Sequence, residues 1–201
     1  MRYDADRKHR TREKVLKAAT REIRASGPHR LAVAGVMAKA GLTHGGFYAH
    51  FDSKEDLVAS TIDAMFEVGI GRLKNVQTDR TPAQALTAYI DLYVSIRHRD
   101  SSTGCPIPTL ASDLPHLAET VRLRFAFGVA RLIEALANLL TQCGRERAKE
   151  EARSMLSEMV GALALARAEP DPQQSIDILE ASRCSLKSRF GLDAATLKGT
   201  A

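Results

Sequence analysis

Residues 33–58 read VAGVMAKAGLTHGGFYAHFDSKEDLV. Val33, Val36, Met37 and Ala40 recur at i, i+3, i+4 and i+7, which is the apolar face of a short helix at about 32–39. Gly41 follows directly and suits a left-handed helix terminus. Residues 42–51 then carry three aromatics, two histidines and a glycine pair. Glycine weakens a helix, yet Thr43 can cap one, and the segment reads as a third helix ending near His50. Two short helices joined by a tight turn with a glycine and an apolar residue make the helix-turn-helix pattern. Leu42 and Phe47 then pack the turn into a three-helix unit, and residues 43–50 become its second, groove-facing helix.

The pattern continues outward in both directions. A first helix at about 10–25 carries Val15, Ala18, Ala19 and Ile23 on one face and stops at Gly27-Pro28. A fourth, at about 53–73, opens with Ser53 as cap and Asp56 three residues on, a capping box with Asp in place of Glu. Thr81-Pro82 starts a helix with Leu86, Tyr89, Ile90, Tyr93 and Val94 on its stripe. A loop over 100–104 leads to a short helix from Cys105 to about Leu114. After Pro115 comes a long helix ending at Gly144, then one at about 146–167, and a last at about 173–188. The tail from Asp193 is expected to fray. No stretch alternates with period two, so the expected class is all-α, with about nine helices.

Composition narrows the function. The chain has 201 residues, 44% hydrophobic and only 5% aromatic, with no Trp. No apolar run reaches the roughly 20 residues of a membrane span. The first ten residues have no apolar segment and do not read as a secretory signal. Three widely spaced cysteines give no disulfide framework, and a reducing cytoplasm is the simplest compartment. Net charge is +5, and its location is informative. Residues 1–60 hold 12 Lys/Arg against 7 Asp/Glu, while the remainder holds 17 of each. A basic front on a neutral body fits a module that meets a polyanion.

Other chemistries fit poorly. His44 and His50 lie six residues apart and point about 120° from each other on a helix, with no Cys, Asp or Glu completing a metal set. Gly45-Gly46 lacks the GxxxxGK[ST] context of a phosphate loop. No Ser-His-Asp, paired-carboxylate or Cys-His arrangement shares a plausible face, so neither an enzyme nor a cofactor is expected. Phe47 and Phe51 read as core.

Residues 33–58 resemble the DNA-binding module of the TetR/AcrR family of bacterial transcriptional regulators. The matching features are the apolar helix, Ala40-Gly41, Thr43, the Gly-rich start, Phe47-Tyr48, Phe51 and Ser53-Lys54-Glu55. Gly104-Cys105-Pro106 and the run from Met159 through Leu163 are similar to a branch with small-molecule-responsive C-terminal domains. The resemblance implies a DNA-binding head at 1–56, a connecting helix at about 53–73, and an effector and dimerisation domain at 57–201. It assigns Thr43, His44, Tyr48, His50 and Lys54 to phosphates or base edges, and Gly45 and Gly46 to close backbone approach. Arg7 and Arg12 of the basic arm add to this set. One departure stands out: the family often has Ser or Thr at the start of the first motif helix, where this chain has Leu31-Ala32-Val33. A missing cap costs about 1 kcal/mol.

The implied partners are an operator in double-stranded DNA, a small apolar effector and a second copy of the chain. Candidate pocket residues are Phe66, Tyr89, Tyr93, Cys105, Leu110, Phe125 and Phe127. Candidate dimer residues are Met155, Met159, Leu163 and Ile178. Two other functions share these features: non-specific or architectural DNA binding, and redox control through Cys105. A helical bundle with an incidental basic head is a further class.

Overall fold

The computed structural model describes residues 2–101 and 105–192, with side chains from residue 6 onward. Among the described residues there are nine α-helices and two short 3-10 helices, with no strand. They are α1 (Arg2–Ser26), α2 (Val33–Lys39), a 3-10 helix (His44–Ala49), α3 (Lys54–Gln77), α4 (Pro82–Tyr93) and α5 (Ile96–Arg99). After these come α6 (Ile107–Leu110), a second 3-10 helix (Leu114–His116), α7 (Glu119–Gln142), α8 (Ala148–Ala168) and α9 (Pro172–Arg189). Residues 102–104 of the expected loop and the tail from 193 lie outside the described residues.

The chain forms two compact units. Among the described residues one comprises 2–67 and 105–128, the other 68–101 and 129–192. The division falls inside α3 and inside α7. The head and body expected from the sequence, divided at 56/57, were separated by function, and packing divides the chain elsewhere.

In the first unit, Val15, Ala19 and Ile23 turn one face of α1 wholly inward. Val36 and Met37 of α2 meet them, with Phe47, Phe51 and Leu57 closing the core. Burying each large apolar side chain contributes about 1.5–3 kcal/mol. Gly27 ends α1 at φ +79°, and its amide donates to the Ile23 carbonyl at 2.9 Å. The turn after α2 is a Schellman motif. Leu42 N–H donates to the Met37 carbonyl at 2.9 Å, Gly41 N–H to the Ala38 carbonyl at 3.0 Å, and Gly41 has φ +74°. Only there does the turn need glycine's left-handed conformation. Further along, Phe66 meets Phe125 edge-on at 5.5 Å. A Cβ on Gly128 would lie 2.2 Å from the Phe66 ring, so this position must be glycine for the ring to pack.

Three caps behave as the sequence requires. Asp56 N–H donates to Ser53 Oγ at 3.1 Å, so Ser53 caps α3, while the Asp56 carboxylate accepts from Asp52 N–H at 3.1 Å, one residue before the cap, in place of the Ser53 amide that a capping box requires. Thr81 and Gln84 make a reciprocal box at α4, with Pro82 at the first helical position. Ala32 stands at the α2 N-cap with no side-chain bond, as its lack of an acceptor dictates.

Other details differ from the sequence reading. Thr43 occupies the cap position of the second motif helix, but makes no side-chain cap bond. That helix is 3-10 rather than α, the tighter form common in short pieces. The short helix expected from Cys105 to about Leu114 is α6, Ile107–Leu110, and α7 starts at Glu119, with Leu114-Pro115-His116 in a separate 3-10 turn between them. The four-residue α5, capped by Ser95 accepting from His98 N–H, is too short to show periodicity.

In the second unit α9 packs against α8 and α4. Its core includes Leu86, Ile90, Leu136, Ala152, Met155, Met159, Leu163 and Leu186. Polar ties support it: Arg99 Nη1 donates to Ser175 Oγ at 2.8 Å, and Arg145 meets Glu151 in a fork of two 2.8 Å bonds.

Candidate nucleic-acid interface

The motif segment presents two faces. Phe47 and Phe51 are 2% and 1% exposed and stack at 5.7 Å, anchoring the 3-10 helix to the core. Thr43, His44 and Gly45 are exposed on the other side, Gly46 is half-buried, and Tyr48 is 69% exposed. An outward tyrosine next to an inward phenylalanine is what this short helix needs in order to be pinned on one side and offer a phenol on the other.

The glycine pair is not there for the fold. Neither Gly45 nor Gly46 has positive φ. A Cβ at Gly45 meets no atom within 4 Å, and at Gly46 it meets only ordinary contacts, Met37 Cε at 3.8 Å and Thr43 Oγ1 at 3.9 Å. Alanine is accommodated at both positions and favours a helix by about 0.8–1 kcal/mol each.

The cations divide into outward and inward groups. Arg7 is exposed on α1. Lys54 donates to the His29 carbonyl at 3.1 Å, which ties the α1–α2 connection to the start of α3 and fixes its exposed amine near the motif. Arg12, assigned from the sequence to DNA, is held inside the unit. Its Nη1 donates to the His50 carbonyl at 2.7 Å, its Nη2 to Ser60 Oγ at 2.8 Å, and its guanidinium lies 4.3 Å from the Phe51 ring centre. Arg12 therefore fastens α1 to the end of the 3-10 helix and to α3. No sequence signal announces a partner 38 or 48 residues away.

His50 is half-buried, and its Nδ1 has no hydrogen-bond partner among the described residues. Burial holds its imidazole below the usual histidine value, and the charges of Lys8 and Arg12 push it further down. Lys8, read from the sequence only as part of the basic arm, is therefore close enough to act on His50.

Most of the expected pocket residues are core. Phe66, Tyr89, Tyr93, Cys105, Leu110 and Phe125 are all at most 8% exposed. Tyr89 and Tyr93 belong to the second unit and the others to the first. Phe127 is 61% exposed, a correction to its assignment as a pocket wall: it lies two residues from the buried Phe125, about 200° around α7. Met155, Met159 and Leu163, expected at a dimer interface, have no exposed surface. They are turned into their own unit, so the methionine stripe of α8 is core. Ile178 is half-buried. The side of α8 that reaches solvent carries Ser154, Ser157, Leu165 and Ala168, with Gly161 and Ala164 half-buried. On α9 the exposed side carries Ala181, Cys184, Ser185 and Ser188.

Among the described residues no group of three or more His, Cys, Asp or Glu is placed to hold a metal ion, and no helix is long and apolar enough to cross a membrane.

A short apolar helix, a Schellman turn and an anchored second helix with bare outward glycines, on a helical core, define a helix-turn-helix regulator. Comparisons with known proteins agree. The family model for bacterial regulatory proteins of the tetR family matches residues 15–61. That for the transcriptional regulator LmrA/YxaF-like C-terminal domain matches residues 82–180. The chain belongs to the TetR family and is a transcriptional regulator of that family. A relative in Lactococcus lactis subsp. lactis, an uncharacterized HTH-type transcriptional regulator in the lacX 3′ region, is 25% identical over 190 residues, spanning 90% of this chain and 93% of its own. In fold the chain is similar to reduced Escherichia coli NemR, with TM-score 0.80, 19% identity, and coverage of 90% and 96%. A TetR transcriptional regulator from Chloroflexus aurantiacus gives TM-score 0.78, 24% identity, and coverage of 92% and 96%.

Proposed function

We propose that the protein is a homodimeric repressor that binds a pseudo-palindromic operator and is released from it by a small molecule. The observation that carries the DNA reading is the glycine pair. Gly45 and Gly46 are required neither by backbone conformation nor by packing, and both weaken the helix. A residue that costs stability and serves nothing inside the chain points to something approaching from outside, and a DNA backbone is that close neighbour. Around it, Thr43, His44, Tyr48 and Lys54 supply donors, with Arg7 and Lys8 adding charge, so most contacts set position on phosphates. His44 is the candidate base reader. Arg12 supports this face from beneath. The head is residues 1–56, α3 connects it, and residues 57–201 carry effector binding and dimerisation.

The dimer reading moves to the outward side of α8 and α9. Ser157, Gly161, Ala164, Ala181 and Ser185 are small residues on that side and allow close helix approach, and Leu165 and Ile178 add apolar surface beside them. Two such heads meet successive major grooves roughly 34–36 Å apart. An effector shifts this pairing only by its differential affinity for the two arrangements. A regulator of bacterial transcription works in the cytoplasm, at the nucleoid.

The test is selection of bound sequences from random duplex DNA, followed by titration of salt. Paired half-sites about one helical turn apart are expected, and Lys54→Ala is expected to lower the salt slope by about one on every sequence. Enrichment of no sequence, with scrambled DNA competing equally, refutes operator recognition and leaves non-specific binding.

A further inference from the structure

We propose that the outward face of α1 is a second DNA-contacting surface. On it Arg10, Lys14, Lys17 and Arg21 hold the phosphates of a DNA segment other than the operator, so that the protein bridges two duplexes. This rests on the reading that the 3-10 helix His44–Ala49 sits on operator DNA.

The four cations recur at steps of four, three and four along α1. At about 100° and 1.5 Å per residue they fall in a strip about 60° wide and about 17 Å long. All four side chains are exposed. Arg7, counted above with the operator face, continues the column toward the N-terminus.

Their charge is not matched within the protein. Among the described residues Lys14, Lys17 and Arg21 make no hydrogen bond or ion pair through their side chains. Arg10 Nε donates only to the Asp6 carbonyl, at 3.3 Å. Two other acids of α1 are turned elsewhere: Glu22 lies 2.5 Å from Lys39 Nζ, and Glu13 lies 3.8 Å from His9 Nδ1. Like charges three or four residues apart destabilise a helix, and this column sets Arg10 against Lys14, Lys14 against Lys17, and Lys17 against Arg21. Solubility alone is served by interspersed signs. An unbroken column of one sign is the counterpart of an external polyanion.

The column does not belong to the face that meets the operator. Each of the four lies about 140–180° around α1 from Arg12, and Arg12 Nη1 reaches the end of the 3-10 helix at the His50 carbonyl, 2.7 Å away. The column therefore points away from that helix. DNA is stiff over about 50 nm, whereas a helix is only about 10–12 Å across. A duplex seated on the 3-10 helix does not wrap around α1 to cover the column, and a second segment does fit there. B-DNA carries a phosphate about every 3.4 Å of axis on each strand, so about 17 Å shows about five phosphates to the four cations. A membrane surface fits less well, because none of the large exposed apolar side chains belongs to α1 and an interfacial helix needs them.

The experiment holds the full chain on its selected operator, immobilised, and passes a labelled duplex of scrambled sequence over it at about 50 mM salt. Capture of that second duplex is expected only where protein is present. The triple variant Lys14→Gln, Lys17→Gln, Arg21→Gln is expected to keep operator affinity within about twofold, to lose capture about tenfold or more, and to lower the salt slope of capture by about three. Its melting temperature is expected to be unchanged or raised, since like charges are removed. Protein that is not retained on the operator refutes the operator reading. Protein that is retained but captures no second duplex, or a folded triple variant that captures it undiminished, overturns the bridging proposal. Operator affinity that grows with flank length, and loses that growth in the triple variant, assigns the column to the same duplex and overturns it too. Capture of duplex RNA in preference to duplex DNA overturns the choice of partner.

Discussion

Replacing Gly45 with alanine separates folding from DNA binding more sharply than any other change in this chain. Within the protein the new methyl group meets nothing within 4 Å, and the backbone there has no positive φ. The folded state therefore tolerates it without strain, and the unfolded chain loses conformational freedom. Glycine-to-alanine changes at compatible positions stabilise by about 0.4–1 kcal/mol. For a chain of this size that is a rise of about 1–4 °C in melting temperature. The same methyl group stands on the exposed side, next to Thr43 and His44. If DNA backbone approaches this surface closely, the methyl group pushes the helix outward and several contacts lengthen together. Loss of one charge-assisted bond alone is worth about 1.5–3 kcal/mol, so operator affinity is expected to fall at least about tenfold. The measurements are thermal melting by circular dichroism and operator binding by fluorescence anisotropy, on the same preparation. The expected result is a more stable protein that binds DNA worse. Unchanged operator affinity refutes the close-approach argument. A lowered melting temperature refutes the claim that the fold does not need the glycine.

Gly128→Ala is the opposite case: its Cβ would lie 2.2 Å from the Phe66 ring, and displacing that ring is expected to destabilise the chain by about 1–3 kcal/mol in urea unfolding, with the double change Gly128→Ala, Phe66→Leu less affected than the single. Arg12→Ala removes the bonds to the His50 carbonyl and Ser60, with an expected loss of about 1–3 kcal/mol; a variant of undiminished stability that still loses DNA binding would return Arg12 to the DNA-contacting set. For His50 the folded state holds the imidazole below its ordinary value, mainly through burial. Neutral His50 therefore supports the fold fully above about pH 6.5, and that support is lost as pH falls through the lower folded value. His50→Gln is accordingly expected to flatten the decline of the urea midpoint between about pH 7 and pH 5, and parallel profiles for the two proteins would refute it.

How much of this could be read without coordinates depends on the range of the interactions. The caps at Ser53 and Thr81 close within four residues, and the turn at Gly41 needs only glycine's access to positive φ, so each was legible locally. The outward Tyr48 and inward Phe47 follow from neighbouring positions on one short helix. Arg12 shows where such reading ends. It lies in a run of basic residues and looks like its neighbours, but its partners lie on two other elements. The methionines of α8 fail for a related reason. Periodicity establishes that a helix has an apolar stripe, yet the same stripe fits a core or a second chain. Here their full burial assigns them to the core.

The sequence by itself determined the long helices, the caps at Ser53 and Thr81, the glycine turn and the basic front, because these depend on residues a few positions apart or on composition alone. Tertiary structure alone decided that Arg12 turns inward, that Phe127 reaches solvent, and that α8 presents serines rather than methionines. Each of these depends on which element lies opposite. A one-dimensional pattern shows that a surface must be covered, and only packing determines what covers it.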